Sequence, residues 1–528
     1  MSAEPTYVSG LSGADSPKSR TLDAKWIKVL CFLFLAALTV RITFLLVAPN
    51  NSTDAWSRYI AATVWLRHPG QLPPVTVSAA WLPMHFWILG SVVWITKSEI
   101  GARCFSAALG SLTVVLLAAI ARRSLGQRVA LWSALLLVFF GLHVAFSVTT
   151  SSEALTIFLI ALGLYTWVRY AASGIAPWML FSATAFNIAC LCRFEPWLCG
   201  PTLALLLINE DSRAMSQGPV RRRWLQAFSF GLLSSLGAIG WSMFSYLKWG
   251  DALELPHRTM WLNAHFQPIH HSTLFRALAV PGSLVTSLSP IIAALAIFGA
   301  THIVRCGPKA ARAIVAVTFV LFAFNYYSSV RYETTQARYT LLYSWLIFPL
   351  AIDGLVCLTA RLRRANAGLV CAVVLASFVF WQVGIAAAAI YAPQPIADHL
   401  GALSPMIPLH LELRNLTKWL KAHPQHGAVI LDDYNWESVD IFRFAQLRAA
   451  ETFSISQQDY DDMAGLSSRL QRFVEVRHPG LLICSPEGLI GKQWCPGSQN
   501  KVRVSGSELQ LSLLWQGRHW RICRILYL

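Results

Sequence analysis

Charge is what this sequence has least of. Only 13% of its 528 residues are charged, against 55% hydrophobic, whereas a soluble domain carries about 25% charged residues. The chain lacks the polar surface to cover itself in water, which excludes a soluble enzyme, a disordered scaffold and a collagen-like rod. It also lacks an internal repeat of about 20–50 residues, the mark of solenoids. Its 11 Cys include no CxxC pair and no zinc-like Cys/His spacing, so neither a zinc site nor a disulfide framework is indicated. Most lie in apolar runs as small hydrophobes. Cys484, Cys495 and Cys523 fall in a polar tail, where one bridge forms if that tail faces an oxidising compartment.

Acidic residues are scarcer than basic ones, 26 against 43, for a net charge of +17. Nucleic-acid binding does not follow, because Lys and Arg sit in short clusters between apolar runs rather than along one polar face. Such clusters are what the positive-inside rule places at the cytoplasmic ends of membrane helices. The 21 Trp and 28 Phe suit the aromatic belts at headgroup level. The chain reads as an α-helical polytopic membrane protein.

Residues 1–25 are polar and read as a disordered cytoplasmic N-terminus, with Lys18, Arg20 and Lys25 before the first apolar run. That run, Trp26 to Ala48, is long enough to span and lacks a small-residue cleavage site, so it is kept as the first transmembrane helix. Four basic clusters mark cytoplasmic loops: Arg122, Arg123 and Arg128; Arg221 to Arg223; Arg305, Lys309 and Arg312; Arg361, Arg363 and Arg364. Single spans are expected at 101–121, 128–147, 152–171, 225–247, 283–304, 312–329, 338–360 and 366–391, and a broken run at 176–209. The break falls at Arg193-Phe194-Glu195-Pro196, whose charges and proline are costly in mid-bilayer. Parity allows one crossing between the first helix and Arg122, so the 14-residue run 84–97 is expected along the outer interface as an amphipathic helix. The total is about eleven helices of about 20 residues, two of them short at the break, with N-terminus in and C-terminus out. The transmembrane module then covers 26–392, with a first outer loop at 49–100.

Residues 393–528 turn polar. Buried strands are expected at 427–432 and 480–484, a helix at 465–477, and a closing hairpin at 509–515 and 520–526. This predicts a small α/β domain outside the membrane.

Polar residues at helix ends are the informative ones in such a chain, because each has a desolvation cost to offset. Most fall on the outer side: Asp54, Arg58 and His85; His143 and Glu153; Arg193 and Glu195; Arg331, Glu333 and Arg338; and a loop at 249–282 with His257, Arg258, Trp261, Asn263, His265, His270 and His271. The chemistry is expected there. Asp54 suits a general base or a helix N-cap. Arg338, aided by Arg331 or Arg58, suits a phosphate, which a guanidinium pairs bidentately, or else snorkels to headgroups. Arg193 with Glu195 suits an ion pair where two helices meet, and Glu153 a helix dipole. The histidines have no recognised metal spacing.

These residues resemble a known family. Thr53-Asp54-Ala55-Trp56, Trp81-Leu82-Pro83-Met84-His85, Gly101-Ala102-Arg103 and Ala121-Arg122-Arg123-Ser124-Leu125-Gly126 look like the N-terminal module of family 39-type GT-C glycosyltransferases. That family includes protein O-mannosyltransferases and the aminoarabinose and Rgt-type lipopolysaccharide transferases. Arg193-Phe194-Glu195-Pro196-Trp197 is similar to an Arg-aromatic-Glu element of bacterial members, and Gln336-Ala337-Arg338-Tyr339 to the Arg-Tyr that opens a late helix. The resemblance covers about residues 25–365 and lies in the order and spacing of the motifs. It implies inverting transfer from a polyprenyl-phosphate sugar to an acceptor hydroxyl of protein, lipid or glycan, on the outer face of what is expected to be a bacterial inner membrane. Asp54 stands where the family has its catalytic carboxylate. Many members carry a second acid next to it, where this chain has Ala55, and hard cations want several oxygen ligands. No metal or other cofactor is therefore assigned, and a divalent ion has weak support. Membrane lipids and the donor are the expected partners. A multi-helix transporter, with inverted repeats and paired broken helices, and a non-enzymatic polysaccharide-assembly protein are the alternatives.

Overall fold

The computed structural model describes residues 24–47, 53–67, 81–208, 220–254, 256–258, 272–332, 337–360, 364–391, 411–423, 427–433, 438, 441–442, 445–447, 451–455, 463–495, 501–504, 507–517 and 519–528. The N-terminal stretch 1–23, the segment 259–271 with His265, His270 and His271, and Glu333 lie outside these residues.

The helical body begins with α1 (Ala24–Val47), α2 (Thr53–Arg67), α3 (Pro83–Thr96), α4 (Glu99–Leu125), α5 (Gln127–Val138), α6 (Gly141–Phe146) and α7 (Glu153–Ser173). It continues through α8 (Ala176–Cys192), a 3-10 turn at Glu195–Leu198, α9 (Cys199–Ile208), α10 (Val220–Trp249), α11 (Thr273–Leu288) and α12 (Pro290–Cys306). It closes with α13 (Lys309–Tyr332), a 3-10 turn at Ala337–Thr340, α14 (Leu341–Leu358) and α15 (Arg364–Tyr391). Among the described residues seven helices are long and apolar enough to cross a membrane, or eight if the bent pair α11–α12 is one broken span rather than a re-entrant loop. The remaining expected runs are filled by the shorter apolar helices at 127–138, 176–192 and 195–208. The protein is an integral, multi-pass membrane protein.

Local chemistry explains the ends. Ser98 caps α4, its hydroxyl accepting the Ile100 N–H at 3.2 Å, while Glu99 opens the helix and Arg122 and Arg123 sit in its last turn. Each charge thereby opposes the nearest end of the helix dipole. Gly126, with φ of 100°, then turns the chain, a conformation a side chain resists.

Three expectations about single helices need correction. The run 128–147 is split: α5 stops at Val138, Phe140 is extended, and α6 follows. The split frees backbone groups that a bilayer cannot satisfy, and the Gln382 carbonyl of α15 accepts the Gly141 N–H at 3.1 Å. The run 283–304 is also broken, with α11 and α12 meeting at 107°. The cause lies at Ser289, whose φ of 79° is non-helical, followed by Pro290, which opens α12 without an N–H to lose. The helix at 83–96 forms as expected but is not amphipathic. Phe86, Leu89 and Val93 are buried on one side, while Trp94 and Ile95 are exposed on the other. It packs on α2, α4 and α8.

The tightest helix pairing is α12 on α14. A methyl group at Gly299 would stand 1.9 Å from the Leu350 carbonyl oxygen, and one at Gly354 would stand 2.4 Å from that of Leu295. Only glycine lets the two backbones approach this closely.

The C-terminal part is a six-stranded mixed sheet in the order β2-β1-β3-β6-β5-β4. Its strands are β1 (Val429–Leu431), β2 (Thr452–Ser454), β3 (Leu481–Cys484), β4 (Lys501–Val504), β5 (Ser507–Gln516) and β6 (Arg521–Tyr527). The first three are parallel, and β3, β6, β5 and β4 are antiparallel. Side chains alternate across it. Ile430, Leu482 and Cys484 pack on Leu466, Leu470 and Val474 of α17 (Met463–Arg477), and Val429, Leu431, Leu481 and Ile483 on Leu413, Leu416 and Leu420 of α16 (Leu411–Ala422). Cys484 and Cys495 form a disulfide, and Cys523 beside them is a buried thiol.

Candidate active site

The break between α8 and α9 carries charge into the helical body, and the structure shows how that charge is held. Arg193 ends α8 with extended backbone. Its Nε donates to both Glu195 carboxylate oxygens at 3.1 Å, and its Nη1 donates to Glu153 Oε1 at 3.2 Å and to Ser152 Oγ at 3.3 Å. All three charged groups are buried. A guanidinium with its fork filled by two carboxylates has the satisfied geometry that a buried charge requires. The sequence pairs Arg193 with Glu195; the bond to Glu153, at the start of α7, is the part it does not show.

Two further arginines stand around this clasp. The Tyr339 ring lies 5.5 Å from the Arg193 guanidinium and 5.2 Å from that of Arg338, within cation–π range of both. Arg338 Nη2 also donates to the Tyr339 hydroxyl at 3.4 Å. Arg58 is buried on α2, its guanidinium 4.3 Å from the Trp81 ring and 5.6 Å from the Phe86 ring, and it interacts electrostatically with Cys192, next to Arg193. His85 packs edge-on to Phe86. The Thr150 hydroxyl donates to the Ala55 carbonyl, which fastens the start of α2 to the segment that leads into Glu153. Asp54 is the second residue of α2; its side chain lies outside the described parts of the structure.

Arg58, His85, Glu153, Arg193, Glu195 and Arg338 are thus linked through one neighbourhood, with the backbone of Asp54 at its edge. Arg331 and His257 are not brought into it by any contact among the described residues. Arg331 ends α13 exposed, against Tyr332 at 5.9 Å. His257 pairs at 2.6 Å with exposed Asp251, whose carboxyl is held below the usual range by the Leu253 N–H and by His257. His265 lies outside the described residues.

Sequence reasoning gave no role of their own to three groups, two buried arginines and one half-buried tyrosine. Arg41 in α1 is fully enclosed, with Nη2 2.7 Å from His143 Nδ1 and Nη1 donating to the Ala37 carbonyl at 3.0 Å. Arg103 donates from Nε to the Val148 carbonyl at 2.7 Å, tying α4 to the same segment that leads into Glu153. Tyr339 is the third. A charged residue inside an apolar run is the one signal that could have found Arg41.

Residues 74–237 match the family model described as dolichyl-phosphate-mannose-protein mannosyltransferase. The crystal structure of ArnT from Cupriavidus metallidurans bound to undecaprenyl phosphate shares the architecture over 95% of this chain and 98% of its own, with TM-score 0.56 and 12% identity. The chain has the GT-C fold. The apo form of the same ArnT aligns over the same shares at TM-score 0.57 and 13% identity. Archaeal oligosaccharyltransferase AglB from Archaeoglobus fulgidus, in complex with an inhibitory peptide and a dolichol-phosphate, aligns over 87% of this chain and 69% of its own at TM-score 0.52 and 11% identity. No curated protein matches the sequence. The GT-C family model spans Trp81, His85, Arg103, Glu153, Arg193 and Glu195, and so most of the neighbourhood described above.

Proposed function

We propose that the protein is an inverting glycosyltransferase that moves a sugar from a polyprenyl-phosphate donor to an acceptor hydroxyl on the outer face of a bacterial inner membrane. On this reading the N-terminus is cytoplasmic, 26–392 is the catalytic module and 393–528 is an outer domain. The observation that carries it is the gathering of Arg58, Arg193 and Arg338 with Glu153, Glu195 and the start of α2 at one place in a GT-C fold. That fold is shared at nearly full length with a structure bound to undecaprenyl phosphate.

The chemistry assigns roles. A sugar phosphate already has a good leaving group, so the protein must deprotonate the acceptor and neutralise phosphate charge as the C1–O bond breaks. The acceptor oxygen attacks C1 from the face opposite the phosphate, Asp54 takes its proton, and the lipid phosphate leaves with the bonding pair. A positioned base contributes about 10²–10⁴ in rate. Arg338 is assigned as the phosphate ligand because it shares the Tyr339 ring with Arg193, whose own fork is filled by Glu153 and Glu195, and because a guanidinium pairs bidentately with phosphate. Arg193 positions Tyr339 and Arg338. With those glutamates engaged and Ala55 beside Asp54, no step is routed through a divalent cation.

The transporter alternative loses one of its objections, because three helix breaks occur among the described residues, near Phe140, Arg193 and Ser289, where the sequence suggests one. The preference for a transferase rests instead on the shared GT-C fold. The test is turnover of lipid-linked sugars extracted from the host membrane by the purified protein, read as released polyprenyl phosphate and product anomer. Inverted product from wild type and a roughly 10²-fold or greater loss in Asp54→Asn are expected. Full turnover in Asp54→Asn removes the base from the scheme, and retained configuration removes the single displacement.

A further inference from the structure

The close approach of α12 and α14 at Gly299 and Gly354 has a chemical result one turn further on. His302 and Cys306 are four residues apart on α12, and Asp353 and Cys357 are four residues apart on α14. An i, i+4 spacing puts each pair on one helix face, and the glycine contact brings the faces together. His302 Nδ1 lies 2.9 Å from Asp353 Oδ2 and 3.2 Å from Cys357 Sγ, and the donor atoms of these three residues all fall within 4.8 Å of one another. Cys306 is close enough to Cys357 for the two to interact electrostatically, and it is exposed. None of these residues belongs to the site around Arg193. Asp353 is twelve residues beyond the first residue of α14, about 18 Å along the axis from the Arg338 end.

A hydrogen-bonded pair would be enough to satisfy the carboxylate of Asp353, and His302 supplies it. The thiol stands against the same ring, with Cys357 Sγ also 3.6 Å from His302 Nε2, so a hydrogen-bonded triad and a shared metal ion are the two arrangements that would hold these three groups together. A metal ion accepts electron pairs from all three. We propose that His302, Asp353 and Cys357 bind a divalent transition-metal ion of the zinc class and clasp α12 to α14.

Nitrogen, thiolate and carboxylate together select zinc-like ions over magnesium or calcium. In a tetrahedral site with ordinary zinc bond lengths, N and O donors stand ~3.3 Å apart and N and S donors ~3.6 Å apart. The observed 2.9 and 3.2 Å reach those values if each side chain opens by a few tenths of an ångström. On binding, the imidazole keeps its remaining proton on Nε2 and the Cys357 thiol releases its proton to solvent, so that affinity rises with pH. The two halves of the set lie 51 residues apart, which is why no metal spacing is visible in the sequence.

The test uses the purified full chain, stripped with chelator and titrated with Co²⁺ in place of Zn²⁺. Wild type is expected to bind one Co²⁺ with sulfur-to-cobalt charge-transfer absorption that Zn²⁺ abolishes by competition. Cys357→Ser should remove that absorption and weaken Zn²⁺ binding by more than the roughly 10–100-fold lost with an outer partner. If Cys357→Ser fails to fold, His302→Gln at the half-exposed position reads the same affinity loss. Absence of the charge-transfer band in wild type overturns the proposal. So does a band that survives in Cys357→Ser, which would assign it to another of the free cysteines. Donor turnover is not the readout, so either failure leaves the transferase reading standing.

Discussion

Arg193 and Glu153, forty residues apart in sequence, are joined by a 3.2 Å ion pair in which both side chains are buried. That pair closes the start of α7 onto the break after α8, and Glu195 completes it. Removing the shared cation leaves two buried carboxylates without their partner. Arg193→Met is therefore expected to destabilise the protein by about 3–5 kcal/mol, the cost of breaking a buried pair from one side. Glu153→Gln should cost less, because an amide oxygen still accepts from Arg193 and Glu195 still holds its charge. Thermal unfolding of the detergent-solubilised variants checks the order. Equal melting of Arg193→Met and wild type would show that the clasp carries no stability.

Arg338 and Tyr339 give a kinetic prediction. Lysine at 338 keeps the positive charge but loses the planar fork and its stacking on the Tyr339 ring, 5.2 Å away. Arg338→Lys should raise the donor KM by about tenfold or more, because bidentate phosphate pairing is lost. It should lower kcat as well if the same contacts strengthen while the phosphate departs. Wild-type kinetics in Arg338→Lys would move phosphate binding to Arg58 or Arg331.

How legible the molecule was in its sequence depends on the range of the interaction concerned. Apolar length and basic clusters report local desolvation, so the runs 26–48, 101–121, 152–171 and 366–391 all correspond to helices. The α/β ending was equally readable, since the short continuous apolar runs in 427–432 and 480–484 are local signals of buried strands, and β1 and β3 form there. Breaks were harder. Pro196 announced one of them, but the split at Phe139 and Phe140 depends on Gln382, more than 200 residues later, to satisfy the freed N–H. The site was legible as residues without their connections. Arg193, Glu153 and Arg338 stood out as charges in an apolar chain, yet their linkage through Tyr339 exists only once α7, α8 and α14 pack.

Orientation follows from the basic clusters and can fail as a whole. Single cysteines in place of Leu253 and Val476, both exposed, should react with an impermeant thiol reagent in intact cells, and a cysteine at position 215 only after permeabilisation. Ile430 is unsuitable as a reporter because it is fully buried in β1. Labelling of Val476→Cys only after permeabilisation would put the C-terminal sheet inside and overturn the placement of the site on the outer face.

Asp432, at the carboxyl end of β1, makes the C-terminal sheet sensitive to pH. Its carboxylate is fully enclosed and accepts backbone N–H groups of Asp433, Ser485, Ile490 and Gly491 at 2.8, 3.3, 2.9 and 2.8 Å. Burial and the four donors oppose one another: desolvation favours the protonated acid and the N–H groups favour the anion. Burial prevails, and the carboxyl is pushed up to about 6. The folded state therefore holds this proton more tightly than the unfolded chain between about pH 4 and 6. Stability should fall as pH rises through that window, by roughly 2–3 kcal/mol, and level off above it. Asp432→Asn has no proton to lose, so its own curve should lack this slope, though an amide cannot accept all four N–H groups and the variant should be less stable at neutral pH. The measurement is the difference between wild-type and variant denaturation curves across pH 4–7. A difference that grows in favour of wild type from pH 4 to 6 would mean that the four N–H donors outweigh burial and that the carboxyl is depressed.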